Sequence, residues 1–110
     1  MNTRTFHLLE QFESLSNKVV LYLPDNNPDA ILDYAEKLSA IAGGCTVTPD
    51  NRGLWLDQES NLIGDSITLF TVFCADESIA PIVHLARSIQ LSYNQDCVSL
   101  EVNGQLYFIK

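Results

Sequence analysis

A chain of 110 residues has room for one hydrophobic core and not for two. Its 46% hydrophobic and 18% charged residues exclude a disordered acidic tail, and its apolar runs fall short of the roughly 18–20 residues a membrane-spanning helix needs. Fourteen acids against six bases, a formal net charge of −8, disfavour direct binding to nucleic acid or to an anionic membrane, because both call for clustered Lys and Arg.

The first residues carry no basic leader followed by an apolar stretch and a cleavage site, so a cytoplasmic location is the expectation. Cys45, Cys74 and Cys97 are odd in number and widely spaced, which reads as free thiols and not as a disulfide framework.

In chain order, Phe6, Leu9 and Phe12 recur every three residues and predict an amphipathic helix over residues 3–15. Residues 1–17 are expected to form an accessory segment packed on the domain. Val19-Val20-Leu21-Tyr22-Leu23 is a continuous β-branched and aromatic run suited to a central strand with both faces occupied, and Pro24 ends it. Asn27-Pro28-Asp29 is a helix start: a capping side chain, a proline where its missing N–H costs nothing, and an acid at the positive end of the helix dipole. Ile31, Tyr34, Ala35, Leu38, Ile41 and Ala42 form one face of that helix, and Gly43-Gly44 stops it.

Extended structure follows at Cys45–Thr48, with a loop or bulge signal at Pro49–Gly53 and a resumption at Leu54–Leu56. Residues 57–61 turn the chain into a strand from Ile63 to Ala75 with apolar groups on both faces. A second helix begins near Asp76 and carries Ile79, Ile82, Val83, Ala86, Ile89 and Tyr93 at helical spacing. The runs Val98–Val102 and Gln105–Ile109 flank Asn103-Gly104, the strongest short hairpin signal.

The order α-β-α-β-β-α-β-β contains β-α-β-β-α-β, so the expected fold is α+β and ferredoxin-like: an antiparallel sheet with both helices on one face, an added N-terminal helix and an added C-terminal hairpin strand. A single domain over residues 1–110 is expected. Such a fold supports many functions and selects none.

Candidate sites are few. His7 and His84 have no neighbours at metal-ligand spacing, and no short-range Cys or His pair is present, so no metal and no cofactor is expected. No catalytic constellation stands out. The glycines at 43–44 follow a helix and precede a strand, the reverse of a phosphate cradle. Arg52, Trp55 and Asp65 are the most informative group. In a hairpin turning at 57–61 they are expected to share one sheet face, as a patch that contacts a ligand or a partner. Asp25, Asp29, Asp33 and Glu36 read as an acidic helix face suited to a basic protein surface.

The segments Leu21-Tyr22-Leu23-Pro24, Gly43-Gly44-Cys45-Thr46, Gly53-Leu54-Trp55, the acid Asp65 and the closing Ser99–Ile109 run resemble a family of small bacterial, plasmid and phage proteins with no assigned activity. The resemblance covers residues 19–109. Members often carry alanine where Cys45 stands and glutamate where Asp65 stands, which implies no essential thiol at 45 and a retained carboxylate at 65. A mobile-element setting is also implied.

The leading expectation is a non-enzymatic, acidic protein-binding module, in that setting an inhibitor of a host defence or nucleic-acid-binding complex. The first alternative is a dimeric ferredoxin-like domain that binds or transforms a small molecule in a sheet-face pocket near Trp55. The second is a structural protein that oligomerises through a strand edge.

Overall fold

The run at residues 19–23 forms the middle of a five-stranded antiparallel sheet in the computed structural model, which describes residues 2–110. Helix α1 spans Thr3–Leu9, strand β1 Asn17–Leu23, helix α2 Pro28–Ala42, strand β2 Thr46–Leu56 and strand β3 Leu62–Cys74. A 3₁₀ turn at Asp76–Ser78 leads into helix α3 (Ile79–Ser92), and strands β4 (Val98–Val102) and β5 (Gln105–Ile109) close the chain. The sheet order is β2-β3-β1-β4-β5. The expected ferredoxin-like arrangement is therefore present, with β5 added beside β4. Among the described residues no helix is long and apolar enough to cross a membrane.

Helices α2 and α3 cover one face of the sheet. Val19, Leu21 and Leu23 of β1, Phe70 and Val72 of β3, and Leu100 of β4 point at them and are almost wholly buried. Leu38 of α2 and Ile82, Ala86 and Ile89 of α3 meet them from the other side. The local signals act as expected. Asn27 Oδ1 accepts from the backbone N–H groups of Asp29 and Ala30, Pro28 opens α2, and Gly43 closes it in the left-handed region at φ 91°. Asn103 (φ 52°) and Gly104 (φ 85°) supply the paired positive φ values of a type I′ turn.

Strand β2 is continuous through the expected break, but its pairing with β3 shifts between Thr48 and Asn51. Pro49 and Asp50 occupy this bulge, and Asp50 takes a positive φ of 61°. Asn26 Oδ1 holds it by accepting from the Asp50 backbone N–H at 2.8 Å. Beyond the bulge, residues 51–56 of β2 and 62–67 of β3 pair only with each other, because β1 ends opposite Thr68. They form a two-stranded arm, and the molecule measures 53 × 30 × 23 Å.

The N-terminal segment departs from expectation. The helix stops at Leu9 instead of reaching residue 15, and none of its residues is buried. Phe6, Leu9, Phe12 and Leu15 remain about half exposed or more. The helix-covered face is already filled by α2 and α3, so no apolar groove is left there for a third helix.

The end of α3 is tied to the end of β1. Tyr93, its C-cap, donates its hydroxyl to Asp25 Oδ2 at 2.6 Å. That bond, with those from the backbone N–H groups of Asn27 and Asn26, holds the Asp25 carboxyl below the usual carboxylate range, and burial with the same contact pushes the Tyr93 phenol well up.

Two outcomes follow for stability. Gly43→Ala should cost about 1 kcal/mol in urea unfolding because of its left-handed φ, whereas Gly44→Ala, without positive φ, should change little. The Asp25 shift is a lowered one, so its contribution is present above the ordinary carboxylate pKa and is lost as pH falls through the folded value. Tyr93→Phe should therefore destabilise by about 1–2 kcal/mol at pH 7 and by less in strong acid, read from unfolding midpoints across pH.

Candidate functional site

Opposed residues in an antiparallel pair point to the same face, and neighbours along a strand alternate. Since Phe70 and Val72 face the helices, Ile63, Asp65, Ile67, Leu69 and Phe73 lie on the open face of the sheet. The register sets Gly53 opposite Asp65 and Trp55 opposite Ile63, so Gly53 and Trp55 share that face. Tyr22 of β1 pairs with Leu69, and Phe108 of β5 pairs with Ser99 of β4, which puts all of these on it as well.

A cleft of about 410 Å³ opens here, where β1 and β5 end, β4 begins and the arm departs. Tyr22, Trp55 and Phe108 supply aromatic walls, Ile67 and Pro24 supply aliphatic surface, and the segment Gln95-Asp96-Cys97 closes another side. Inside the cleft, Trp55 Nε1–H donates to Asp65 Oδ2 at 2.9 Å. The two are diagonal neighbours across the arm. Gly53, directly opposite Asp65, has no side chain to stand between them, and a Cβ there would also meet Ile67 Cδ1 at 2.5 Å. Trp55 keeps about half its surface exposed, so the hydrogen bond fixes the ring at the mouth of the cleft without burying it.

Arg52 is not in this group. It pairs with Ser66 on the opposite face of the arm, close to the α-carbon of Gly64, so the expected acid–base–indole patch is reduced to Trp55 and Asp65. The reason is the strict alternation of a strand: residues 52 and 55 differ by an odd number and cannot share a face within regular pairing.

The second wall was not legible in sequence. Gln95, Asp96 and Cys97 sit in the short connection after α3, held by Gln90 Nε2, which donates to the Gln95 carbonyl at 2.6 Å, and by the Tyr93–Asp25 contact. Nothing in their local pattern marks them. Only the Asn103-Gly104 turn, which sets the β4–β5 register and so Phe108 opposite Ser99, could have pointed to part of this wall.

The acidic series is divided. Asp29, Asp33 and Glu36 lie exposed along α2, with Asp33 accepting from Lys37 Nζ at 2.9 Å. Asp25 precedes the helix and is engaged by Tyr93, so it is not part of that face. His84 is exposed on α3. Burial, then the nearby Asp76 and Glu77, pushes the Cys74 thiol up, which disfavours the thiolate a nucleophile needs. Among the described residues no group of three or more His, Cys, Asp or Glu is placed to hold a metal ion.

No protein-family model and no curated protein matches this chain. Solved structures do match in fold. A phage SAM lyase in complex with S-methyl-5'-thioadenosine aligns with TM-score 0.64 and 15% identity, over 90% of this chain and 95% of that one. The divalent cation tolerance protein CutA1 from Thermus thermophilus aligns with TM-score 0.63 and 11% identity, over 79% and 82%. CutA1 from Oryza sativa aligns with TM-score 0.52 and 15% identity, over 88% and 83%. At these identities the likeness establishes the α+β, ferredoxin-like fold and nothing finer.

Proposed function

We propose that this protein is a self-associating small-molecule-binding domain whose ligand enters the open-face cleft beside Trp55. The observation that carries the reading is the Trp55–Asp65 hydrogen bond at the mouth of a cleft of about 410 Å³, a volume within the usual range for small organic ligands. An indole held in place but half exposed offers a flat face to a ring, and the carboxylate beside it offers an acceptor. A phage enzyme of the same fold is known with a nucleoside thioether bound, which supports that chemical class as the first probe.

Self-association is supported by the apolar surface left uncovered. Leu54, Leu56 and Leu62 on the arm, and Phe73, Leu106 and Phe108 on the open face, are each about half exposed or more. They lie on two faces, Leu54, Leu56 and Leu62 on the helix side of the arm and Phe73, Leu106 and Phe108 on the open side. A second copy carries the same surfaces and is the occupant we assign to them.

The competing reading, an acidic surface that docks on a basic protein and inhibits it, keeps exposed Asp29, Asp33 and Glu36 as its support. It loses Asp25 to Tyr93 and part of Asp33 to Lys37. Solvated acids on one helix face are the ordinary state of a protein of charge −8, so this reading ranks second.

Trp55 is the only tryptophan, so its fluorescence reports the cleft directly. S-methyl-5'-thioadenosine should shift that emission saturably, and Asp65→Ala should weaken binding about tenfold while leaving the circular dichroism unchanged. No shift with this nucleoside or with a panel of ring-bearing metabolites would exclude the reading. Size-exclusion mass measured at two concentrations should exceed that of one chain.

A further inference from the structure

We infer that the cleft selects an organic cation carrying an aromatic ring and rejects ligands that bear phosphate; this rests on the small-molecule reading above. The charges that line the cleft are all of one sign. Asp65 stands on the arm wall and Asp96 on the opposite segment, and no Lys, Arg or His is among the lining residues. Arg52 projects from the other face of the arm, and Lys18 pairs with Phe73 at the far end of the sheet. Lys110, two residues past Phe108, does not line it.

The surroundings reinforce the sign. Segment 94–97 follows the C-terminal end of α3, the negative end of its helix dipole. The chain as a whole carries −8. A phosphate entering this field meets two carboxylates among the lining residues and no group of opposite charge, whereas a cation is attracted by the carboxylates and by the aromatic side chains of Tyr22, Trp55 and Phe108.

Asp65 is arranged for this role. Its Oδ2 accepts from the Trp55 indole, and among the described residues its other oxygen has no partner. The indole therefore orients the carboxylate and leaves one oxygen for the ligand. Aromatic faces beside fixed carboxylates are the means by which proteins hold ammonium and sulfonium groups in preference to neutral isosteres.

The test is a charge series on one ring, followed by calorimetry on the full chain: 5'-amino-5'-deoxyadenosine as the cation, S-methyl-5'-thioadenosine as the neutral member and adenosine 5'-monophosphate as the anion. The cation should bind about tenfold more tightly than the neutral nucleoside, and the monophosphate at least tenfold more weakly. Asp65→Asn and Asp96→Asn should each lower the ratio of cation to neutral affinity several-fold, whatever either does to binding of the neutral nucleoside itself. The advantage should also shrink at high salt. Equal or tighter binding of the monophosphate, or a cation preference that survives both substitutions, would overturn the inference while the cleft itself stands. Binding of none of the three would overturn the cleft and the inference together.

Discussion

Helices α2 and α3 lie on the same side of the sheet, and everything else in this structure is arranged around that fact. Each connects two parallel strands across an intervening one, and the strong preference of such crossovers for the right hand sends both to one face. The core forms there, around Leu21, Phe70, Leu38 and Ile82. The other face is left to side chains alone. At its centre they shield one another well enough that Val20, between Thr71 and Glu101, is only 8% exposed. Toward the arm the shielding fails, and apolar and aromatic groups stand in the open.

The bulge in β2 determines which groups those are. Before it the paired residue numbers of β2 and β3 sum to one value, and after it to that value plus one, so β2 gains a residue between Thr48 and Asn51. One extra residue reverses the facing of everything beyond it. Without it Trp55 would turn to the helix side and Asp65 would lose its donor. Asn26 ties the bulge to the end of β1 through Asp50, and Tyr93 ties the end of α3 to the same place through Asp25. The two walls of the cleft are thus anchored on neighbouring residues of one connection, which is why a site built from distant segments can hold a fixed shape.

Much of the architecture was legible locally. Asn27-Pro28 and Gly43 bound α2, Asn103-Gly104 fixes the β4–β5 register, and the apolar run at residues 19–23 reads as the central strand it is. These signals work because each rests on the backbone chemistry of a few adjacent residues. The α1 stripe misled for the opposite reason: its period promises an apolar face and carries no information about whether a surface is free to receive it. The candidate site was legible in part. Trp55 and Asp65 come together as hairpin geometry suggests, while Arg52 falls on the wrong side of a strict alternation.

The element order, the limits of α2, the turn at 103–104, the single core and the sign of the overall charge are all written in the amino-acid order, because propensity, capping and period are properties of neighbours in the chain. It took the folded arrangement to leave α1 outside the core, to give Asp25 to Tyr93 and not to an acidic helix face, and to bring Asp96 and Cys97 to Trp55 across a cleft. The last two are contacts between segments some forty or more positions apart. They depend on the handedness of the crossovers and on one inserted residue in β2, and neither leaves a mark on the residues it brings together.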